Sequence, residues 1–137
     1  MAVNRQFSIA VHIMAGLAAG CDREMTSGRL AMSVNTSPSF VRRVVAKLSR
    51  ANLVETTTGK TGACRLAKNA KNISLLDIYR AVDAPKAFAI HTYKEQKSCS
   101  VSCKIKAALE HVLEKTQHSL ENSLRDISLA EIISDLT

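Results

Sequence analysis

Two stretches of this sequence hold side chains able to do chemistry. In KSCSVSCKIK, residues 97–106, Cys99 and Cys103 stand four apart with Lys97, Lys104 and Lys106 around them. Such thiols can ligate a metal or be oxidised, and cationic neighbours at a helix start make a cysteine reactive. In TSPSFVRRVVAKLSR, residues 36–50, Ser37, Ser39, Arg42, Arg43, Lys47 and Arg50 recur on a short basic segment. Arginine grips guanine O6 and N7 in bidentate fashion, while lysine and serine suit phosphate oxygens. The chain shows no Gly-rich phosphate loop, no nucleophile–base pair and no carboxylate pair with a plausible cleft, so no enzyme is expected.

Those side chains need elements to hold them. Ser37 followed by Pro38 predicts a helix start, a capping hydroxyl and then the residue whose missing N–H costs nothing at the first helical position. Phe40, Val41, Val44, Val45 and Leu48 then form one apolar face, with Arg42, Arg43, Lys47 and Arg50 largely off it. Upstream, Phe7, Val11, Met14 and Leu17 keep a helical period that ends at Gly20, predicting a helix over 4–19 with His12 packed or half-buried on its apolar face. Thr26 or Ser27 caps a short second helix that turns Leu30, Ala31 and Val34 inward.

Downstream the period changes. Leu53 to Thr57 alternates and is β-branched, TGKTG (58–62) is a turn with a lysine at its tip, and ACRLA can pair back as a hairpin. ISLLDIYRAVD (73–83) predicts a short helix capped by Ser74, with Leu76, Ile78, Tyr79 and Val82 inward. Residues 84–98 have no period and read as a loop. A long amphipathic helix over about 101–126 carries Ile105, Leu109, Val112, Leu113, Leu120 and Leu124, and Ser128 caps a last short helix.

Two short helices joined by a tight turn, the second basic, followed by a hairpin with a basic tip, is the order of a winged helix-turn-helix. A helix fits the major groove and presents its first side chains to base edges. Ser37, Ser39, Arg42 and Arg43 are the candidates there, with Lys47 and Arg50 better placed for phosphates. Lys60 and Thr61 at the hairpin tip would reach an adjacent groove or the backbone. Arg5 near the N-terminus and Ser27 at the start of the second helix are further candidates.

Charge agrees with this reading. Residues 1–72 hold 11 Lys and Arg against 3 Asp and Glu, residues 73–137 hold 8 against 9, and the net charge of +7 therefore belongs to the first part. A winged-helix protein-interaction module is the alternative, and it would lack a steep salt dependence with DNA. No apolar run reaches the roughly 18 residues of a membrane span. The N-terminal stretch has a helical period instead of a uniform signal core, so a cytoplasmic protein is expected, with its four cysteines as thiols, ligands or redox sensors. At 137 residues one compact domain is expected. It would comprise a winged helix-turn-helix over 1–83, a cysteine-bearing loop over 84–102, and the long and terminal helices over 103–137.

The segments NRQFSIAVHIMAGLA, TSGRLAMSVNTSPSFVRRVVAKLSRANLVETTTGKTGACRLAK, ISLLDIYRAV and SLAEI together resemble the Rrf2 family of bacterial winged-helix regulators. The likeness is nearest to the YwnA-like branch, which has no iron–sulfur cluster, and it spans nearly the whole chain. It implies a mainly α fold with a small β wing, and a homodimeric, mostly repressing transcription factor on a palindrome-like DNA site. It also implies that the long helix, here about 103–126, is the dimerisation element. An apolar stripe sustained over six turns independently needs a partner surface, or burial against its own domain. The wing departs from the family: GKTGACRLAK stands where a Gly-Gly-aromatic segment is usual.

The resemblance also bears on the cysteines. Sensor members hold an iron–sulfur cluster with three cysteines in this region and a histidine three residues beyond the third. This chain has two there, and Lys106 occupies the place of the histidine. No resident cofactor is expected. A cluster or a zinc site shared across a dimer stays open as an alternative, as do a thiol redox switch at Cys99 and Cys103 and a purely structural role. His111 and His118, seven apart, share a face of the long helix and are read as solvent-facing. Tyr79 and Tyr93 are read as packing residues.

Overall fold

The computed structural model describes residues 5–19, 25–57 and 63–136. Among these described residues six helices run in order: α1 Gln6–Ala19, α2 Ser27–Val34, α3 Pro38–Arg50, α4 Leu75–Ala81, α5 Ser100–Arg125 and α6 Leu129–Ser134. Two strands, β1 Val54–Thr56 and β2 Cys64–Leu66, lie between α3 and α4, and a single 3-10 turn covers Ala70–Asn72. The chain forms two compact units, residues 1–84 with 124–137, and residues 85–123.

In the first unit the helix starts follow from hydroxyl caps. Thr26 Oγ1 accepts the Arg29 N–H at 3.3 Å and Ser37 Oγ accepts the Phe40 N–H at 3.2 Å, with Pro38 opening α3. Between α2 and α3 the chain turns at Asn35, whose φ of 63° is left-handed, while the Thr36 N–H closes on the Ala31 carbonyl at 3.0 Å. Asn52 and Asp83 take the same conformation after α3 and α4. Asn and Asp are the side chains besides glycine that tolerate it. At Gly16 an added Cβ would stand 3.3 Å from Leu30 Cδ2, so α1 and α2 meet closely there.

The two strands pair antiparallel, Val54 with Leu66, Glu55 with Arg65 and Thr56 with Cys64, and the Cys64 N–H also reaches the Met25 carbonyl at 2.8 Å. The core joins Ala10, Ile13 and Met14 of α1, Leu30 of α2, Val41, Val44 and Leu48 of α3, Ile78 of α4 and Leu129 of α6. Phe7 and Tyr79 pack edge-on with ring centres 5.7 Å apart.

Two capping boxes face each other. Ser74 and Asp77 exchange side-chain-to-backbone bonds at 3.1 and 3.0 Å, and Ser128 and Glu131 do the same at 3.2 Å each. Ser74 bridges Ser128, with Leu75 N–H on Ile127 O at 2.9 Å and Leu129 N–H on Ile73 O at 2.8 Å. Leu129, fully buried in the first unit's core, and these backbone bonds hold α6 in that unit.

In the second unit the loop 85–99 lies along α5. The Ala87 N–H reaches Gln117 Oε1 at 2.9 Å, and Tyr93 Oη donates to the Ser102 carbonyl at 2.7 Å. No residue of α5 is fully buried, and Val101 and Val112 stand 63% and 53% exposed. No described helix is long and apolar enough to cross a membrane.

Candidate nucleic-acid interface

Val41, Val44, Val45 and Leu48 fix α3 in the core, which leaves its other face outward. Ser37, Ser39, Arg42, Arg43 and Arg50 are exposed there and Lys47 is half-buried. Each arginine is met one turn back: Arg42 Nη2 donates to Ser39 Oγ at 3.4 Å, and the Arg43 guanidinium lies 5.3 Å from the centre of the Phe40 ring. Such contacts restrict long side chains and lower the entropy lost when they bind. Ser37 Oγ accepts an amide as the cap, which leaves its hydroxyl hydrogen available to an acceptor.

The other sequence-derived residues are dispersed. Arg5 is exposed just before α1, and Ser27 is half-buried as the first residue of α2. Lys60 and Thr61 lie outside the described residues. On the wing, Arg65 Nε pairs with Glu55 Oε2 at 2.9 Å, a cross-strand contact too exposed to add much stability. Arg29, Lys68 and Lys71 are exposed in the same unit and were not singled out from the sequence, because they interrupt no apolar period and follow no cap pattern of a reading helix.

His12 departs from the expectation of a packed or half-buried residue. It is exposed, and its Nε2 lies 3.0 Å from Ser33 Oγ on α2, because the ring falls off the face that buries Ala10, Ile13, Met14 and Leu17. Tyr79 packs on Phe7 as expected, whereas Tyr93 also spends its hydroxyl on a backbone carbonyl.

The cysteines separate into different environments. Cys64 is buried in β2, and desolvation pushes its thiol pKa up from 9.0. Cys99 and Cys103 are exposed at the start of α5. Cys99 Sγ accepts the Ser102 N–H at 3.5 Å and the Cys103 thiol donates to the Gln96 carbonyl at 3.6 Å. His91 stacks on Tyr93 with ring centres 4.9 Å apart. Cys21 lies outside the described residues.

A helix-turn-helix whose second helix turns serine and arginine outward, followed by a two-stranded wing, defines a winged helix-turn-helix DNA-binding protein. The sequence matches the Rrf2 family, described as iron-dependent transcriptional regulators, over residues 3–135, and the chain belongs to that family. It is 36% identical over 135 residues to YwnA of Bacillus subtilis, provisionally described as an HTH-type transcriptional regulator, covering 98% of each chain. A solved structure provisionally described as a DNA-binding protein is 33% identical, with a TM-score of 0.76 over 93% of this chain and 98% of that one. IscR of T. potens shares the fold at 22% identity, with a TM-score of 0.72 over 100% of this chain and 89% of that one. The protein is a DNA-binding transcriptional regulator.

The family description names iron, so the donor set at α5 bears testing. An iron–sulfur cluster takes four protein ligands, mostly thiolates. Cys99 and Cys103, at the start of α5, supply two thiols, and among the described residues no three His, Cys, Asp or Glu side chains come together around a metal position. Among the described residues, Cys99 and Cys103 thus stand two donors short of the four that a cluster takes.

Proposed function

We propose that the protein acts as a homodimer that represses transcription from a palindrome-like duplex site, with one α3 entering the major groove of each half-site. The observation that carries this reading is the outward face of α3, where Arg42 and Arg43 are each held by a side chain one turn earlier. Arg43 and Arg42 read base edges, Ser37 and Ser39 hold the helix start against the backbone, and Lys47 and Arg50 bind phosphates further along. Lys60, Thr61, Arg5 and Ser27 add peripheral backbone contacts. The apolar stripe of α5 supplies the dimer contact. The reading assigns no catalytic step and no resident cofactor, and it sets the protein in the cytoplasm, where the chromosome is.

Fluorescence anisotropy with duplex from upstream of its own gene, over a salt series, tests it. Sequence-selective binding that weakens steeply with salt is the expected result. Arg43→Ala should cost about 1–3 kcal/mol at the specific site and relax base preference there. A loss equal on all sequences would make Arg43 a phosphate contact. Binding with no salt dependence on any duplex would leave the interaction-module reading.

A further inference from the structure

The first turn of α5 is tied to the loop before it through two thiols. Cys99 precedes Ser100 in the capping position, and its Sγ accepts the Ser102 N–H at 3.5 Å. The Gln96 carbonyl receives both the Cys99 N–H at 2.9 Å and the Cys103 thiol at 3.6 Å, while the Cys103 N–H closes on the Cys99 carbonyl at 3.2 Å. Both cysteines are exposed, as are Lys97, Lys104 and Lys106, and no acidic residue occurs from 97 to 109.

We propose that Cys99 and Cys103 are a modification site at which a hydroperoxide oxidises Cys99 and Cys103 resolves it to an intrachain disulfide. An attacking sulfur carries negative charge, and Cys99 has an amide N–H aimed at it and Lys97 two residues before it in the sequence. Cys99 Sγ attacks one peroxide oxygen. The S–O bond forms as the O–O bond breaks, two electrons pass from sulfur to peroxide, and water leaves, or an alcohol if the peroxide is organic. Cys103 Sγ then attacks Cys99 Sγ. The S–S bond forms, the S–O bond breaks, and the departing hydroxide takes the Cys103 proton as a second water.

Residues four apart on a helix rise about 6 Å, near the upper part of the Cα separation a disulfide spans. Closure therefore draws both sulfurs off their present partners and unwinds the turn. Ser102 sits in that turn, and it also holds Tyr93 through its carbonyl at 2.7 Å and the Gln96 N–H through its Oγ at 2.9 Å. Oxidation thus releases Tyr93 and Gln96 from the start of α5, while the Ala87 N–H keeps its bond to Gln117. Its effect on DNA rests on the regulator reading above.

The test uses the full reduced chain, dilute hydrogen peroxide, an alkylating quench, intact mass and peptide mapping. The expected product has lost two hydrogens and contains a Cys99–Cys103 link. Cys103→Ser should accumulate a sulfenic acid at Cys99 that a dimedone probe captures, and Cys99→Ser should give no such adduct at Cys103. Cys99 should react faster in the folded chain than in the same chain in urea, where its N–H partner is lost. A link between chains instead of within one, or equal rates folded and unfolded, overturns the proposal. Operator affinity of the oxidised protein should fall about tenfold, within the usual range for coupled sites. A disulfide that forms while operator binding is unchanged overturns the regulatory output. No selective DNA binding in the reduced protein would count against the regulator reading alone, since the mass readout is independent of DNA.

Discussion

Arg42 and Arg43 show what a sequence carries and what it leaves out. Their place off the apolar face of α3 follows from the spacing of Val41, Val44, Val45 and Leu48. That Ser39 and Phe40 restrain them depends on side-chain rotamers, which spacing does not specify. Cys64 makes the same point. Its placement on a strand is legible, but its place in the core and its backbone bridge to Met25, far away in sequence, are not. That burial has a pH consequence. The folded thiol holds its proton above 9.0, whereas the unfolded one loses it near its ordinary value. The unfolded state then binds fewer protons, so stability falls as pH rises above about 9. Chemical denaturation from pH 8 to 10 should show this fall, and Cys64→Ala should flatten it, at the cost of a small cavity.

Among the elements, local signals map onto local structure. Thr26, Ser37, Ser74 and Ser128 each start a helix because each is a hydroxyl whose oxygen meets an amide three residues on. The left-handed turn at Asn35 is the element that orients α3 after α2. Asn35→Val should cost about 1–2 kcal/mol, the penalty of a β-branched residue in that conformation. Asn35→Gly should be close to neutral. Thermal melts of the two variants check the contrast, and operator affinity should fall with the valine variant only. Pairings between distant segments were not legible. The Ser74–Ser128 bridge and the return of α6 depend on contacts between residues more than fifty apart, for which caps and periods give no sign.

For the molecule as a whole, the sequence indicated a basic reading part and a long helix, and the structure adds the two compact units. The stripe on α5 is covered only in part by its own loop, since Ile105, Leu109 and Leu113 are half-buried while Val101 and Val112 stay exposed. The proposed dimer accounts for that remainder. Val112→Lys should shift the protein to monomer in sedimentation analysis and weaken operator binding, because a bivalent contact becomes a single one. An unchanged sedimentation profile would mean that α5 buries its stripe in another way.

The bridge between Ser74 and Ser128 has a genetic reading. The last segment of the chain holds no residue of the reading face, yet it completes the unit that carries that face. A premature stop after residue 123 would keep every serine and arginine of α3. It would also remove Leu129 from the core and leave the Ile73 carbonyl and the Leu75 N–H without their partners. Such a truncated allele would lose DNA binding through misfolding, and its phenotype would match that of a deletion of the whole gene.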